Sequence, residues 1–256
     1  MRRAECCAIA VMAKAPRAGR AKTRLCPPLT PAQAAELGVA FLRDITENIR
    51  VAGVTTSLAG FVAYAPEGEE TLFDGLLVPG TGLVLADGSI TLPHGVEGIG
   101  RSLLHAATSL FDQGYASVCL VNADSPTLPT EFLRDAAAAL ARPGDRMVLG
   151  VAEDGGYYLI GLKSQHATLF QGITWSTDRV SAQTLQRAAS LRLEVVTLPV
   201  WFNVDDAASL TRLLADLATV DQAAARPVPF SAPATRACVG RFGLAERLGI
   251  AAPGVR

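Results

Sequence analysis

Residues 117–124, Ser-Val-Cys-Leu-Val-Asn-Ala-Asp, decide the fold class of this chain. Residues 118–121 are apolar and lack the alternation of a strand with one face in water, so they predict a strand buried on both faces. Such strands belong to parallel sheets that helices cover on both sides. Asp124 follows the strand directly, and in open α/β sheets ligands bind beyond the carboxyl ends of the strands. The stretch therefore predicts a buried parallel sheet and a candidate ligand residue at its edge.

Hydrophobic runs of strand length alternate with helical periodicity on either side of this stretch. The predicted strands cover residues 8–13, 59–64, 116–122, 146–152, 157–162 and 193–198. The predicted helices cover residues 31–50, 98–113, 130–141, 179–189 and 206–218, with a short helix around 241–248 in the tail. This alternation predicts an α/β fold with a doubly wound, mostly parallel sheet in a three-layer α/β/α arrangement.

The bulk composition excludes several classes of protein. Half of the 256 residues are hydrophobic and 18% are charged, which indicates a sizeable core. The net charge of −1 lacks the basic excess of a nucleic-acid-binding protein. No apolar run is long enough to span a membrane, so we expect a soluble, cytoplasmic protein. Its five cysteines form no C-x-x-C pair and are expected to be buried, reduced thiols.

A basic loop follows the first predicted strand. It carries five cations within eleven residues: Lys14, Arg17, Arg20, Lys22 and Arg24. Neither a P-loop nor a G-x-G-x-x-G fingerprint is present. A loop with several cations at a strand end is suited to a polyphosphate, whose charge must be neutralised as it binds. The alternative is a solvated basic loop without a ligand.

Carboxylates follow two further strands. Asp124 can hold Mg²⁺, which typically takes one or two protein carboxylates together with substrate phosphates; alternatively it caps the turn before Pro126. Glu153 and Asp154 precede Gly155 and Gly156. The two acids can bind hydroxyl groups of an acceptor, and the alternative is a hairpin turn without function.

Two later segments complete the candidate site. Asn203 and Asp205 alternate in an extended segment and can add oxygen ligands to the same cation, although Asp205 or Asp206 is also a good helix N-cap. Trp175, within residues 174–178, is expected to line a pocket or to belong to the core. We expect all these segments to converge at one edge of the sheet.

The ordered motifs resemble a known bacterial family. Lys14-x-Pro16-x-x-Gly19-x-x-Lys22-Thr23-Arg24, Asp124-Ser-Pro126, Glu153-Asp-Gly-Gly-Tyr157, Trp175-Ser-Thr177 and Asn203-Val-Asp205 occur in this order. The sequence resembles uncharacterised GT-A-type, glycosyltransferase-like or nucleotide-diphospho-sugar transferase proteins. It is more distantly similar to phospholactate guanylyltransferases and molybdenum-cofactor nucleotidyltransferases. The resemblance covers residues 8–218 and implies a GT-A-like domain over 1–225, followed by a Pro-rich extension over 226–256.

The resemblance also implies roles for individual residues. Asp124, Asn203 and Asp205 would hold Mg²⁺ or Mn²⁺, with Asn203 standing where the family usually has Asp. The nucleotide would contact Lys14, Pro16, Gly19, Lys22, Thr23 and Arg24, and the segment 87–101 would contribute Arg101. The acceptor would contact Gly155, Gly156, Tyr157, Trp175, Ser176 and Thr177. The candidate catalytic residues are Asp124, Lys22, Glu153 and Asp154.

Three functions are compatible with these residues. We favour nucleotidyl transfer from a nucleoside triphosphate to a small phosphorylated acceptor, because a departing pyrophosphate needs the many cations of the basic loop. The alternative is transfer of a sugar from a nucleotide-diphospho-sugar to a small hydroxylated acceptor, with Glu153 or Asp154 as general base. The third is a non-catalytic nucleotide-binding module. The sequence does not indicate the oligomeric state.

Overall fold

A seven-stranded sheet forms the centre of the protein. The computed structural model describes residues 3–17, 19, 22–219 and 227–249. The strands are β1 (Cys7–Lys14), β2 (Leu58–Ala65), β3 (Gly82–Leu85), β4 (Ser117–Asn122), β5 (Arg146–Ala152), β6 (Tyr157–Leu162) and β7 (Glu194–Trp201), in the order β3-β2-β1-β4-β6-β5-β7. The six predicted strands are confirmed. β3 was not predicted, because it has only four residues and lies at the sheet edge between glycine-containing turns.

The sheet is mostly parallel, as predicted. β1 runs parallel to β2 and β4, β2 runs parallel to β3, and β5 runs parallel to β7. Only β6 is antiparallel, to both β4 and β5. A tight turn causes this reversal, since Ala152 N–H bonds to the Gly156 carbonyl and Gly155 N–H bonds to the Ala152 carbonyl. The carboxyl ends of β1, β4, β5 and β7 therefore lie along one edge of the sheet.

The described residues form seven α-helices beside the strands: α1 (Pro31–Ala52), α2 (Ile99–Asp112), α3 (Thr130–Ala141), α4 (Val180–Ser190), α5 (Ala207–Thr219), α6 (Pro233–Arg241) and α7 (Leu244–Arg247). Thr30 caps α1 as predicted, in a capping box with Gln33. The short helix expected around 241–248 is present as α7, whereas α6 before it was not predicted. α6 was missed because its start is stabilised by a residue far away in the sequence.

Two hydrophobic cores lie on opposite faces of the sheet. Ile9 and Val11 of β1 pack with α1 and α3 residues such as Ile45 and Phe132. Ala8 and Ala10 point the other way and pack with α2 residues such as Leu104. Successive strand residues point to opposite faces, so the unbroken apolar run of β1 supplies both cores. The three-layer α/β/α arrangement is confirmed.

A third core joins the tail to the outer face of α1. Phe41 of α1, Leu213 of α5, Val239 of α6 and Leu25 of the loop after β1 belong to it. Asp44 of α1 is 1% exposed and accepts hydrogen bonds from the Ala234 and Thr235 backbone N–H groups, at 2.9 and 2.6 Å. It thereby satisfies free N–H groups at the start of α6, while burial raises its own pKa. Residues 227–249 thus pack on α1; the predicted boundary between 225 and 226 lies outside the described residues.

The expectation of buried cysteines is met at four of the five positions. All five cysteines are free; Cys26 is partly exposed and the other four are buried. No helix within residues 3–17, 22–219 and 227–249 is both long and apolar enough to cross a membrane.

Candidate functional site

Four segments meet at the carboxyl edge of the sheet: the loop after β1, the loop after β4, the β5–β6 turn and the segment after β7. The Val204 N–H bonds to the Asp124 carbonyl at 2.8 Å, and the Lys22 ammonium donates to the Val204 carbonyl at 2.8 Å. The Glu153 N–H bonds to the Trp201 carbonyl at 3.0 Å. The structure therefore brings together the segments that we expected to converge.

Two aspartates and one lysine form the centre of this site. Lys22 Nζ lies 2.5 Å from Asp124 Oδ1 and 3.7 Å from Asp205 Oδ1. In the turn after β4, the Asn122 side-chain oxygen accepts a hydrogen bond from the Asp124 N–H at 3.2 Å. The Asp124 carboxylate is consequently available to a cation rather than engaged as a turn cap.

The environment of Asp205 favours a positive partner. Burial raises the pKa of Asp205, and the nearby Asp124 and Asp154 carboxylates raise it further, while Lys22 and Arg24 oppose this shift. Asp206, its neighbour, accepts from the Ser209 N–H at 2.8 Å and caps α5. The sequence left open which of these two acids caps the helix. Asp206 caps α5, and Asp205 faces the Lys22 ammonium.

We expected Asn203 to be a third metal ligand, and its side chain is hydrogen-bonded to the neighbouring loops. Its Oδ1 accepts from Asn122 Nδ2 at 2.6 Å and from Ser125 Oγ at 3.0 Å, and its Nδ2 donates to Asp154 Oδ2 at 3.2 Å. Through these contacts the side chain ties three loops together. The expected role of Asn203 as a metal ligand stays a prediction.

The remaining donor set fits a divalent cation that also binds substrate oxygens. The described residues contain no group of three or more His, Cys, Asp or Glu side chains placed to hold a metal. Asp124 and Asp205 nevertheless converge on one cation, the Lys22 ammonium. Mg²⁺ characteristically binds one or two carboxylates, several waters and substrate phosphates. The pair fits such a site.

A cavity of about 390 Å³, here called the basic cavity, opens beside Lys22. Its charged lining, among the described residues, consists of Lys14, Lys22, Arg24, Asp124 and Asp205. Pro16 and Thr23 also line it, as expected for nucleotide contacts. Much of its wall consists of small residues: Ala13, Gly38, Ala63, Ala65, Ala86 and Ala123. Short side chains at the ends of β1, β2 and β4 create this space.

A second cavity of about 830 Å³, here called the acidic cavity, lies on the β5 and β7 side. Six carboxylate residues line it, namely Asp124, Glu153, Asp154, Asp178, Asp205 and Asp206, against two arginines in the described lining, Arg24 and Arg212. Tyr157, Tyr158 and Trp175 supply aromatic surface. The two cavities share Met12, Arg24, Ile99, Asp124 and Asp205. They therefore meet at the carboxylate pair.

The β5–β6 turn is both a hairpin and part of the acidic cavity. Gly155 has φ +84°, and a Cβ there would lie 2.1 Å from the Asp178 carbonyl oxygen, so only glycine fits. Asp154 Oδ1 accepts from the Gly156 N–H at 2.9 Å. Gly156 lines the acidic cavity, whereas Gly155 allows the turn to pack closely against the Asp178 backbone.

The segment 174–178 forms another wall of the acidic cavity. Trp175 stands edge-on to Tyr157, with ring centroids 6.4 Å apart, and packs so closely on Gly100 that a Cβ there would lie 2.7 Å from the indole ring. Ser176 has φ +62°, an uncommon conformation for a residue with a side chain. Trp175, Ser176 and Thr177 all line the cavity, where we expected acceptor contacts.

Two of the expected nucleotide contacts, Arg101 and Gly19, do not occur in the described lining of either cavity. The Arg101 guanidinium instead donates to the Gly88 carbonyl at 2.7 Å and holds the turn after β3. Arg20 lies outside the described residues. Arg101 thus makes a structural contact with Gly88, and its expected contact with the base stays a prediction.

The sequence did not identify Arg212 or Asp178 as site residues. Arg212 Nη1 lies 2.5 Å from Glu153 Oε2, and its guanidinium stacks 4.0 Å above the Phe202 ring. Arg212 lies on α5, in the second turn of the helix that follows Asp205, and it lines the acidic cavity together with Asp205. A search for polar residues along the first turns of helices that follow site strands would have found it.

Comparison with known proteins places this arrangement in a family. A family model described as "Uncharacterized protein conserved in bacteria (DUF2064)" matches residues 49–177. No curated protein sequence matches the chain.

Solved structures share the fold. A proposed nucleotide-diphospho-sugar transferase from Desulfovibrio desulfuricans G20 is 26% identical, with 97% of this chain and 98% of that chain covered and a TM-score of 0.75. CMP:2-keto-3-deoxy-manno-octonic acid synthetase complexed with CTP is 12% identical, with 84% of this chain and 99% of that chain covered and a TM-score of 0.50. A cytidylyltransferase from Leptospira borgpetersenii is 8% identical, covers 98% of both chains, and has a TM-score of 0.50.

These neighbours are transferases that share the GT-A-like architecture, and the likeness of the last two carries the fold alone. The family model spans half of the chain and includes Asp124, Glu153 and Trp175. The chain thus belongs to the DUF2064 family of bacterial proteins, and its α/β fold is that of the nucleotide-diphospho-sugar transferases.

Proposed function

We propose that this protein is a metal-dependent glycosyltransferase that moves a sugar from a nucleotide-diphospho-sugar to a small, uncharged, hydroxylated acceptor. One observation carries the proposal: a basic cavity and an acidic cavity meet at Asp124 and Asp205. The similarity to the Desulfovibrio protein, which is named for nucleotide-diphospho-sugars, supports it.

The nucleotide belongs in the basic cavity. Lys14, Lys22 and Arg24 supply three positive charges for a diphosphate at the mouth of this cavity. Alanines on β2 and after β3 leave room for a ribose and a base. The volume of about 390 Å³ falls within the usual range for small-molecule sites, roughly 300–1,000 Å³.

Asp124 and Asp205 would hold Mg²⁺ or Mn²⁺ together with oxygens of the diphosphate. When bound, the cation neutralises the charge that develops on the departing diphosphate. The two carboxylates line both cavities, which supports a position for them between the proposed nucleotide and the group to be transferred.

The sugar and the acceptor belong in the acidic cavity. Its carboxylates can accept hydrogen bonds from several hydroxyl groups, and Tyr157 and Trp175 offer apolar faces to a sugar ring. An acceptor phosphate would face an excess of carboxylates there, and like charges in such a cleft repel. This charge distribution is the reason for preferring sugar transfer to an uncharged acceptor over nucleotidyl transfer to a phosphorylated one.

Asp154 is the better placed general base. Its carboxylate accepts from two neutral donors, the Gly156 N–H and the Asn203 amide, whereas the Glu153 carboxylate is paired with Arg212. In the proposed step, the acceptor hydroxyl oxygen bonds to the anomeric carbon and its proton passes to Asp154. The bond between the anomeric carbon and the diphosphate oxygen breaks, and the electron pair leaves on that oxygen.

Nucleotidyl transfer remains the second candidate. The three cations of the basic cavity also match a departing pyrophosphate, which carries more charge than a nucleoside diphosphate at its terminus. In that reaction an acceptor oxygen would attack the α-phosphate of a nucleoside triphosphate.

The released product distinguishes the two reactions. The protein is incubated with Mg²⁺ or Mn²⁺, pooled polyol and sugar acceptors, and either nucleotide-diphospho-sugars or nucleoside triphosphates. The proposal predicts release of a nucleoside diphosphate from one sugar nucleotide, lost in Asp124→Asn. Pyrophosphate release from a triphosphate would replace it with the second candidate. If neither product forms while nucleotides still raise the melting temperature, the protein is a binding module.

A further inference from the structure

The Lys22 ammonium occupies the position at which Asp124 and Asp205 would share a metal ion. It lies 2.5 Å from one carboxylate and 3.7 Å from the other, and it donates to the Val204 carbonyl at 2.8 Å. We propose that Lys22 is a built-in counter-ion that keeps free divalent cations out of this site until a nucleotide draws its ammonium away. This inference rests on the metal site of the proposed function.

A metal bound between Asp124 Oδ1 and Asp205 Oδ1 would take the place of the Lys22 ammonium. Mg²⁺ binds carboxylate oxygens at about 2.1 Å, and an ammonium binds them at about 2.7–2.9 Å, so the two cations would claim the same volume. A metal that enters without a nucleotide must displace a positive charge from two carboxylates. The site therefore holds its own cation in advance.

Several contacts keep Lys22 in this position. Its side chain is only 11% exposed, and Nζ lies 5.0 Å above the Phe41 ring. Its backbone has φ +51°, which residues with side chains adopt rarely and keep only where their surroundings hold them. The side-chain contacts supply that constraint. Lys22 thus belongs to a defined ion-pair network rather than to a solvated loop.

The surrounding charges explain how a nucleotide could release Lys22. Besides Asp124 and Asp205, the charged groups near this network are Arg24, Lys14 and Asp154. A diphosphate in the basic cavity offers Lys22 another anion on the same side as Arg24 and Lys14, and a cation that arrives with the nucleotide replaces the ammonium at the carboxylates. Metal and nucleotide should therefore bind cooperatively, each raising the affinity for the other by the same factor.

Titration with Mn²⁺ alone tests this inference without any turnover. Electron paramagnetic resonance measures free Mn²⁺ in solutions of the wild type, Lys22→Met and Lys22→Gln. Removing the ammonium leaves two carboxylates without a counter-ion, so both variants should bind Mn²⁺ roughly tenfold or more tightly than the wild type. Arg17→Met is the control in the same loop. Arg17 is paired with Glu69 and occurs in neither described cavity lining, so its variant should bind Mn²⁺ as the wild type does.

Two further measurements assign the result to this site. Adding Asp124→Asn to Lys22→Met should abolish the gain in Mn²⁺ affinity. With ADP, GDP, CDP and UDP in turn, the wild type should bind Mn²⁺ more tightly with at least one of them, and Lys22→Met should bind that nucleotide more weakly. The substitution thus has opposite effects on the two ligands, which a structural role alone would not produce.

The outcomes separate this inference from the proposed function. Equal or weaker Mn²⁺ binding by both Lys22 variants, while the wild type still binds Mn²⁺ with a nucleotide through Asp124, overturns the counter-ion role and leaves the metal site intact. Absence of Mn²⁺ binding by every protein, with and without nucleotides, removes the metal site and this inference together.

Discussion

The basic cavity and the acidic cavity share one wall and differ in almost every other respect. The described lining of the basic cavity has alanine walls and three cations, whereas that of the acidic cavity has four aromatic side chains and six carboxylates. The first lies at the carboxyl ends of β1 and β2, and the second lies beyond β5 and β7. The junction consists of Asp124, Asp205 and Arg24 with two apolar residues.

This difference indicates a division of labour along one sheet edge. A single doubly wound sheet provides neighbouring strand ends, and the loops after them carry opposite charges. A phosphate-rich ligand is attracted to one side and a hydroxyl-rich ligand can be bound on the other. The carboxylate pair at the junction is the only place where both ligands would be near the same described acids. The predictions that follow test this division, from the junction outward.

Asp124→Asn at the junction should have the largest effect. It removes a charge that both cavities share, so metal-dependent turnover should fall by roughly 10³-fold. The melting temperature should change little, because the side chain is about one-third exposed at a cleft. Steady-state kinetics and a thermal melt measure the two quantities. Turnover close to the wild-type rate would remove Asp124 from the mechanism.

Asp154→Asn should affect chemistry in the acidic cavity alone. Loss of the general base should lower kcat by about 10²-fold or more, with the dissociation constant of the nucleoside diphosphate unchanged. Glu153→Gln is the control on the adjacent residue, and its kcat should fall far less because Glu153 is paired with Arg212. A larger loss in Glu153→Gln than in Asp154→Asn would exchange their roles.

Lys14→Met should act on the basic cavity alone. It removes one of three cations, so the dissociation constant of the nucleoside diphosphate should rise about tenfold at low salt and less at high salt. Isothermal titration at two ionic strengths measures both effects. The KM of the acceptor should stay the same, and a change confined to the acceptor would contradict the placement of the two ligands.

Trp175→Ala should give the smallest effect, on the acceptor side. Loss of the aromatic wall should raise the KM of the acceptor about threefold to tenfold through lost contact area. Binding of the nucleoside diphosphate, measured by titration, should not change. Weaker nucleotide binding with an unchanged acceptor KM would show that the ligands occupy the opposite cavities.

The sequence predicted the parts of the fold that depend on local pattern. Buried strands such as 116–122 and helices such as 31–50 carry their own periodicity and caps, and the structure contains them. β3 is too short for a pattern, and α6 depends on Asp44, which lies about 190 residues earlier. Neither β3 nor α6 can therefore be predicted from a short stretch of sequence alone.

The candidate site likewise has one part that the sequence predicted and one part that it did not. The strand-end rule placed Lys22, Asp124 and Asp205 together, since chain position alone determines which ends are adjacent. Side-chain orientation is not encoded in this manner. Asn203 turns its oxygen toward Asn122 and Ser125, and Arg101 turns toward Gly88, because of contacts between distant segments. The opposite charges of the two cavities also required the structure, since their lining residues come from many loops.

A crystal structure with Mn²⁺ and the preferred nucleoside diphosphate tests the central claim most directly. The account predicts an anomalous Mn²⁺ peak bonded to Asp124 and Asp205, the diphosphate against Lys14 and Arg24, and the base among the alanines of the basic cavity. A diphosphate seated between Asp154 and Trp175, or a metal bonded to neither Asp124 nor Asp205, would contradict it.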